Sequence, residues 1–242
     1  HEGMDKPARL SWRVQNATND VADLEIYGVI GDPWDGTTSS EFNSTLRAIK
    51  ASRINFLFNS PGGYVSDGLA MYNALLGHKA EKVGYVEGSA DSAASFVFQA
   101  MDKRVIAKNA SMFIHRAQGL AMGDEEDALA LHNILKEATV NIASIYADRA
   151  GGTVEDWVTA MSAMPERGTL YRGQAAVDAG LADEVGIYVQ NIATGRVAAL
   201  NDTPTAPELD ISLIPPLATG YKPPLPADFT RLLKENLNGK RN

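Results

Sequence analysis

One serine stands where a nucleophile could be activated. Ser92 follows Gly88-Ser89-Ala90-Asp91 and precedes apolar residues at helical spacing, so we expect it where a strand passes into a helix N-terminus. The unpaired N–H groups and the positive dipole end of a helix can stabilise an oxyanion at such a point. Serine is also a common N-cap, so a purely structural role for Ser92 stays open.

A serine nucleophile needs a general base, and the sequence contains four histidines. His115 ends an apolar run over 112–115 that we predict to be a strand at the same sheet edge as Ser92. The other three histidines lie at the terminus, after a helix stop and within a helix, where a surface histidine explains them. We therefore favour His115 as the base, with an ordinary surface or core histidine as the alternative.

A glycine-rich turn follows a second buried strand. The segment Asn59-Ser60-Pro61-Gly62-Gly63 comes directly after an apolar run over 54–58. One interpretation is a tight turn and nothing more. The functional interpretation is that the Gly63 N–H points at an oxyanion, with the Ala93 N–H as the second donor.

The elements that must position these residues follow from periodicity and helix stop signals. The pattern predicts a strand over 23–30, a helix over 39–48, a strand over 54–58, a helix capped by Ser66 and stopped by Gly77, a strand over 82–86, a break at Glu87-Gly88 and a helix over 92–101. Two successive βα units favour an α/β fold with a mainly parallel sheet. Their turns are expected at one carboxyl edge of that sheet.

The second half of the chain alternates strands and helices. Strands are predicted over 104–107, 112–115 and 182–185, and helices from the Asp124 cap, from a Thr153/Asp156 capping box to Pro165, and over 173–179. The helix that Asp124 caps is expected to run for about 25 residues, well beyond the usual length. We expect it to cross the domain or to project from it toward another subunit.

The bulk composition excludes several classes of protein. The net charge of −8 and the pI of about 5.0 argue against a surface that binds nucleic acid. The chain has no cysteine, which excludes disulfides and thiolate-bound zinc, and its scattered histidines predict no metal site. No apolar run approaches the ~18–20 residues of a membrane span, and no apolar signal core opens the sequence. These features favour a cytoplasmic protein without a membrane partner.

Proline content suggests how the chain divides. Seven of its 11 prolines fall between residues 204 and 226. We expect an N-terminal extension over 1–19, a single α/β domain over 20–190, and a Pro-rich C-terminal tail over 191–242 that ends in a helix over 226–237.

Three motifs in series resemble those of the ClpP-type serine peptidases. They are Asn59-Ser60-Pro61-Gly62-Gly63, Gly88-Ser89-Ala90-Asp91-Ser92-Ala93 and Met112-Phe113-Ile114-His115, and residues 175–185 resemble the family's last helix and strand. The resemblance implies a ClpP/crotonase-like fold with repeated ββα units. It also implies a cofactor-free serine endopeptidase that cleaves protein substrates through an acyl-enzyme and assembles into a homo-oligomeric ring. Ser92 would be the nucleophile, His115 the base, and Gly63 and Ala93 the oxyanion donors.

Other features are more similar to the ClpP-related head-maturation proteases of tailed bacteriophages. These are Ser92-Ala93-Ala94-Ser95, the acidic segment over 121–127 before the long helix, and Arg116-Ala117 where the housekeeping enzyme would have Gln-Pro. That resemblance implies a capsid or scaffold protein as substrate, and the host cytoplasm or the phage prohead as the place of action.

Two positions depart from the family pattern. The position of the third triad residue, an Asp or Glu, falls on Gly168, which cannot orient a histidine. Glu166 is the expected substitute, and an exposed loop carboxylate is the alternative interpretation. Asp91 stands where a small residue is usual, and it could oppose an oxyanion or point away into a salt bridge.

Four other functions are considered beside phage maturation. A housekeeping-type ClpP subunit would share the chemistry. A crotonase-like acyl-CoA enzyme would share the fold and the glycine-based oxyanion hole. Gly168 and Asp91 would also suit a catalytically impaired ring-forming subunit, and a Ser–Lys prohead protease would not require His115.

Overall fold

The computed structural model describes residues 12–15, by backbone alone, together with residues 20–32 and 36–189. The strands are β1 (Trp12–Gln15), β2 (Val21–Tyr27), β3 (Val29–Ile30), β4 (Gly36–Thr37), β5 (Arg53–Ser60), β6 (Glu81–Ala90), β7 (Lys103–Ile106), β8 (Ser111–His115), β9 (Gly168–Arg172) and β10 (Glu184–Val185). The helices are α1 (Ser39–Ala48), α2 (Val65–Leu76), α3 (Ala93–Phe98), α4 (Glu125–Ala150), α5 (Val154–Ala160) and α6 (Gln174–Asp178). The predicted tail over 191–242, its helix, and the rest of the 1–19 extension lie outside the described residues.

The sheet is mainly parallel, as the sequence predicts. Its strand order is β1-β2-β5-β6-β7-β10, and every neighbouring pair except β1 and β2 is parallel. Strand β8 pairs with the end of β6, and β9 runs antiparallel to β8. This arrangement confirms the α/β fold class and places β8 beside the carboxyl ends of β5 and β6.

The core forms where sheet and helices meet. In β5, residues from Ile54 to Phe58 are all buried, as expected of a parallel strand covered on both faces. Helix α1 buries Phe42 and Leu46. Both predictions are confirmed, because the spacing of apolar residues within a segment indicates which of them are buried.

Strand β6 is longer than predicted, and the helix after it is shorter. The expected break at Glu87-Gly88 is a register shift inside a longer strand, since β6 continues to Ala90 but its pairing with β5 is irregular between Val86 and Ala90. A Cβ on Gly88 would lie 2.5 Å from Asn59 Oδ1, so this glycine admits a neighbouring side chain instead of ending the strand. All six residues of α3 are buried.

The most buried face of α2 is offset from the predicted stripe, of which Val65, Leu69 and Tyr72 pack partly buried against the core while Leu76 is exposed. The helix begins at Val65 after Tyr64, so the predicted Ser66 cap is wrong, and its buried residues are Gly68, Met71 and Leu75. A Cβ on Gly68 would lie 2.6 Å from the Phe96 ring, which allows α2 and α3 to approach closely. Gly77 ends the helix as predicted.

The long helix α4 projects. It has 26 residues, and Asp124 caps it through the backbone N–H groups of its first turn, as predicted. Its buried residues fall between Thr139 and Tyr146, so the first half of the helix lies at the surface.

Two further boundaries differ from the sequence prediction. The Thr153 capping box is confirmed, but α5 ends at Ala160, well before Pro165. The predicted strand over 23–30 divides at Gly28, where φ is 71°. Over the described ranges, none of the helices combines the length and the apolar composition of a membrane span.

Candidate active site

Ser92 occupies a strained corner between β6 and α3. Its backbone angles are φ 52° and ψ −121°, and it stands at the N-cap of α3 without any side-chain cap hydrogen bond. A left-handed conformation costs a non-glycine residue about 1–2 kcal/mol. Capping therefore does not explain Ser92, and its hydroxyl is left for another role.

Hydrogen bonds from two other elements hold this corner. The Ser92 N–H donates to the Phe113 carbonyl oxygen of β8 at 2.7 Å. Ser95 Oγ donates to the Ser92 carbonyl oxygen at 2.5 Å and lies 2.6 Å from the hydroxyl of Tyr146 in α4. Burial raises the pKa of the Tyr146 phenol, which keeps it protonated and able to donate. No local pattern in the sequence signals this contact between α3 and α4.

The glycine turn meets the serine corner. A Cβ on Gly62 would lie 2.6 Å from Ser92 Cβ and 2.7 Å from the Ala93 nitrogen. Gly63 forms a parallel bridge with Ile30. Among the described residues, neither the Gly63 N–H nor the Ala93 N–H donates a hydrogen bond in the turns or at the helix cap. The two βα turns therefore converge at one sheet edge, and both amides lie there.

His115 ends β8 at the same edge. Its Nδ1 lies 2.7 Å from the Arg116 carbonyl oxygen, and its ring stacks on Phe113 with centroids 5.4 Å apart. A carbonyl only accepts, so Nδ1 carries the proton and Nε2 is left as an acceptor. Within the described part of the chain, the imidazole shares no hydrogen bond with the Ser92 hydroxyl. Such bonds are commonly long without substrate and tighten in its complex.

Asp91 lies against β8. Its Oδ1 accepts the Phe113 N–H at 2.8 Å, and the side chain is half-buried. Burial raises the pKa of the Asp91 carboxyl, while the Phe113 N–H and the charge of His115 act in the opposite direction. Over residues 20–32 and 36–189, no lysine or arginine forms an ion pair with Asp91, so the salt bridge considered from the sequence is absent.

Gly168 is buried in strand β9, whereas Glu166 is exposed in the turn before it. Gly168 pairs directly with His115 in the β8–β9 ladder. Glu166 lies in the exposed turn before it, and among the described residues it forms neither an ion pair nor a side-chain hydrogen bond. The structure therefore brings Ser92, His115 and the two amides to one edge, and it leaves Glu166 at the surface as an untested prediction.

A cleft opens beside His115, between α4 and the turn before β9. Its volume is about 390 Å³, and its lining includes Arg116, Thr139, Ser162 and Arg167. Ser92, His115, Gly63 and Ala93 are not among the residues that line it.

Comparison with known proteins gives one consistent family. The model of the Clp protease family matches residues 26–188. The ATP-dependent Clp protease proteolytic subunit of Chlorella vulgaris is 28% identical over 131 residues, covering 53% of this chain and 63% of its own. The subunit of Ligilactobacillus salivarius is 36% identical over 135 residues, covering 54% and 66%, and that of Oltmannsiellopsis viridis is 28% identical over 138 residues, covering 56% and 69%.

The matches cover more than half of this chain but only part of each relative. The chain spans just under two thirds of the length of the first two relatives, at 63% and 66%. The family model is satisfied over residues 26–188, which is more than half of the 242 residues. This chain therefore belongs to the Clp protease family.

Proposed function

We propose that this protein is a serine endopeptidase in which Ser92 is the nucleophile and His115 the general base. The observation that carries the proposal is the backbone of Ser92, a non-glycine residue at φ 52° whose side chain caps nothing. Strain of this kind is typical of catalytic corners that hold a hydroxyl away from its own helix. His115 offers an unprotonated Nε2 from the adjoining strand.

The reaction follows from these groups. Nε2 of His115 takes the Ser92 proton as the serine oxygen bonds to the peptide carbonyl carbon. The protonated imidazole then gives that proton to the leaving amine, and the C–N bond breaks to leave an acyl-enzyme. Water, deprotonated by the same imidazole, releases the acid product and regenerates the serine.

The Gly63 and Ala93 amides are proposed as the oxyanion hole. Gly62 packs against Ser92 and the Ala93 nitrogen so closely that no Cβ would fit, which brings the two turns together beside the hydroxyl. Ala93 is also the first residue of α3, where backbone N–H groups have no partner within the helix. Loss of one such donor typically slows acyl transfer ~10²–10³-fold.

The relatives' names extend the proposal to assembly. They are proteolytic subunits of ATP-dependent proteases, and we propose that this chain likewise works on protein substrates as a subunit of a homo-oligomeric ring. Exposed apolar side chains on α4 support a subunit contact. Leu129 and Ile134 are 61% exposed, and Val140 is 45% exposed.

Bacteriophage head maturation is the finer form of the same proposal. Two features support it: the acidic segment over 121–127 resembles the phage proteases, and Arg116-Ala117 stands where the housekeeping enzyme would have Gln-Pro. Its substrate would be a capsid or scaffold protein, cleaved in the host cytoplasm or in the prohead. Co-expression with candidate scaffold protein, followed by mass spectrometry of the products, tests this form separately from the chemistry.

A covalent serine-hydrolase probe tests the chemistry. We expect a fluorophosphonate to label the wild-type chain at Ser92, as mapped by peptide mass spectrometry, and Ser92→Ala to carry no label while keeping its thermal unfolding transition. Assembly into rings without labelling would indicate an impaired subunit, and binding of coenzyme A esters without labelling would favour a crotonase-like enzyme. Retained activity in His115→Ala would point to a Ser–Lys mechanism.

A further inference from the structure

No carboxylate occupies the expected position beside His115. Gly168 stands directly across from His115 in the β8–β9 ladder. A Cβ there would lie 2.4 Å from the Ile114 carbonyl oxygen and 2.7 Å from Phe113 Cζ. The backbone of β8 and the Phe113 ring therefore leave no room for a carboxylate at position 168.

Backbone and ring contacts orient the imidazole instead, and they supply no full negative charge. Nδ1 of His115 donates to the Arg116 carbonyl oxygen at 2.7 Å, and the ring stacks on Phe113. A carbonyl fixes the tautomer, whereas an ionised carboxylate also stabilises the imidazolium that forms during attack. Arg116 and Arg167, the exposed chain neighbours of His115 and Gly168, are cations and supply no negative charge either.

Asp91 is a carboxylate that the structure holds against β8, the strand that carries His115. Its Oδ1 is fixed by the Phe113 N–H at 2.8 Å, two residues before His115 on the same strand. It is half-buried, which weakens solvent screening of its charge. Within the described residues it forms no ion pair with a lysine or arginine, and a positive charge on the His115 imidazole lowers the pKa of its carboxyl.

We infer that Asp91 supplies the negative charge that stabilises the His115 imidazolium, a task for which Gly168 has no side chain. The inference rests on the proposed function, in which His115 is the general base. As the Ser92 oxygen bonds to the carbonyl carbon, its proton moves to Nε2 of His115, and Asp91 stays ionised without accepting a proton. Asp91 is then a positioning residue that acts through His115 and does not touch substrate.

A pair of substitutions separates charge from hydrogen bonding at Asp91. Asp91→Asn keeps an oxygen that can accept the Phe113 N–H, and Asp91→Ala removes both charge and acceptor. We expect fluorophosphonate to label Ser92 about 10- to 100-fold more slowly in both variants, a smaller loss than the ~10⁴-fold of a directly bonded triad carboxylate. Removing the anion disfavours the protonated imidazole, so the acid limb of the labelling profile should move to lower pH.

Removing the Asp91 charge is expected to slow labelling without lowering the stability of the fold. Burial raises the pKa of Asp91, so the folded state holds that proton more tightly than the unfolded chain does. The stability that Asp91 contributes is therefore present at low pH and is lost as pH rises through its folded pKa. Asp91→Asn should unfold at no lower temperature than wild type at neutral pH, and Asp91→Glu, which keeps the charge, should label faster than Asp91→Asn.

Asp178→Asn is the matched control, because Asp178 is an exposed carboxylate on α6 that bonds Gln174. We expect it to label at the wild-type rate. Wild-type labelling in Asp91→Asn with a slow Asp91→Ala would reduce Asp91 to an acceptor for Phe113 and overturn the inference. A loss in Glu166→Gln without one in Asp91→Asn would overturn it in favour of Glu166. Failure of the proposed function is distinct, since wild-type Ser92 would then carry no label at all.

Discussion

Two strand-to-helix corners of this chain share a backbone shape and differ in residue. Ser92, between β6 and α3, has φ 52° and ψ −121°, and Gly173, between β9 and α6, has φ 40° and ψ −111°. The N–H of Ser92 donates to the Phe113 oxygen at 2.7 Å, and that of Gly173 donates to the Ala110 oxygen at 3.1 Å. Neither residue caps its helix with a side chain. The same local geometry is thus built twice, on either side of β8.

The difference between the corners isolates what the serine contributes. At Gly173 a Cβ would lie 2.4 Å from the Lys108 carbonyl oxygen, and the positive φ suits glycine without strain. Ser92 holds nearly the same angles with a side chain, at a cost of about 1–2 kcal/mol. Ser92 has a positive φ that glycine would adopt without strain. A serine at this position therefore indicates that its side chain serves chemistry and not folding.

Replacing Ser92 should lower activity more than any other substitution, because it removes the proposed nucleophile from its corner. Ser92→Ala and Ser92→Gly should each lower the rate of casein hydrolysis by about 10⁴-fold or more. Ser92→Gly should also have a free energy of unfolding about 0.5–1 kcal/mol above that of Ser92→Ala, because glycine adopts positive φ freely and only part of the gain is offset by its unfolded-state entropy. Urea unfolding measures this difference, and equal stability of the two variants would remove the case for strain at Ser92.

Replacing Gly173 tests the structural side of the same comparison. Gly173→Ala should lower the free energy of unfolding by about 2–3 kcal/mol, because its Cβ meets the Lys108 carbonyl and its φ is left-handed. Activity per folded molecule should stay near that of wild type. Gly77→Ala is the control, since Gly77 has φ −79° and the nearest atom to its Cβ would be 3.6 Å away. Its expected change is within about 0.5 kcal/mol.

What the sequence could predict is what each segment determines alone. The buried run of β5, the stripe of α1 and the Asp124 cap of α4 depend on near neighbours along the chain, and all three are as predicted. The order of turns along parallel strands also predicts that the Gly63 and Ser92 turns share an edge. Fold class and the location of the candidate site therefore follow from pattern.

What the sequence could not predict depends on contacts between distant segments. The close approach of α2 to α3 depends on the Phe96 ring beside Gly68, and the Asn59 side chain fits beside β6 because residue 88 is glycine. The contact of Asp91 with the Phe113 N–H likewise joins residues 22 positions apart, so no local pattern separates it from an exposed carboxylate. The prediction of Glu166 rests on its place two residues before Gly168 in the chain, and it stays a prediction.

In the described part of the chain, the Ser92 carbonyl oxygen accepts a side-chain hydrogen bond that the Gly173 carbonyl oxygen lacks, and weakening this bond should change activity least. Among the described residues, the Gly173 carbonyl accepts the Ala176 N–H at 3.1 Å, whereas the Ser92 carbonyl accepts both the Ser95 N–H at 3.0 Å and Ser95 Oγ, which Tyr146 orients. Tyr146→Phe should cost about 1 kcal/mol of stability and slow labelling of Ser92 only a few-fold, since Ser95 Oγ still donates. Ser95→Ala should have the larger effect on labelling. If Tyr146→Phe slowed labelling more than Ser95→Ala, the hydroxyl pair would not act through the Ser92 carbonyl.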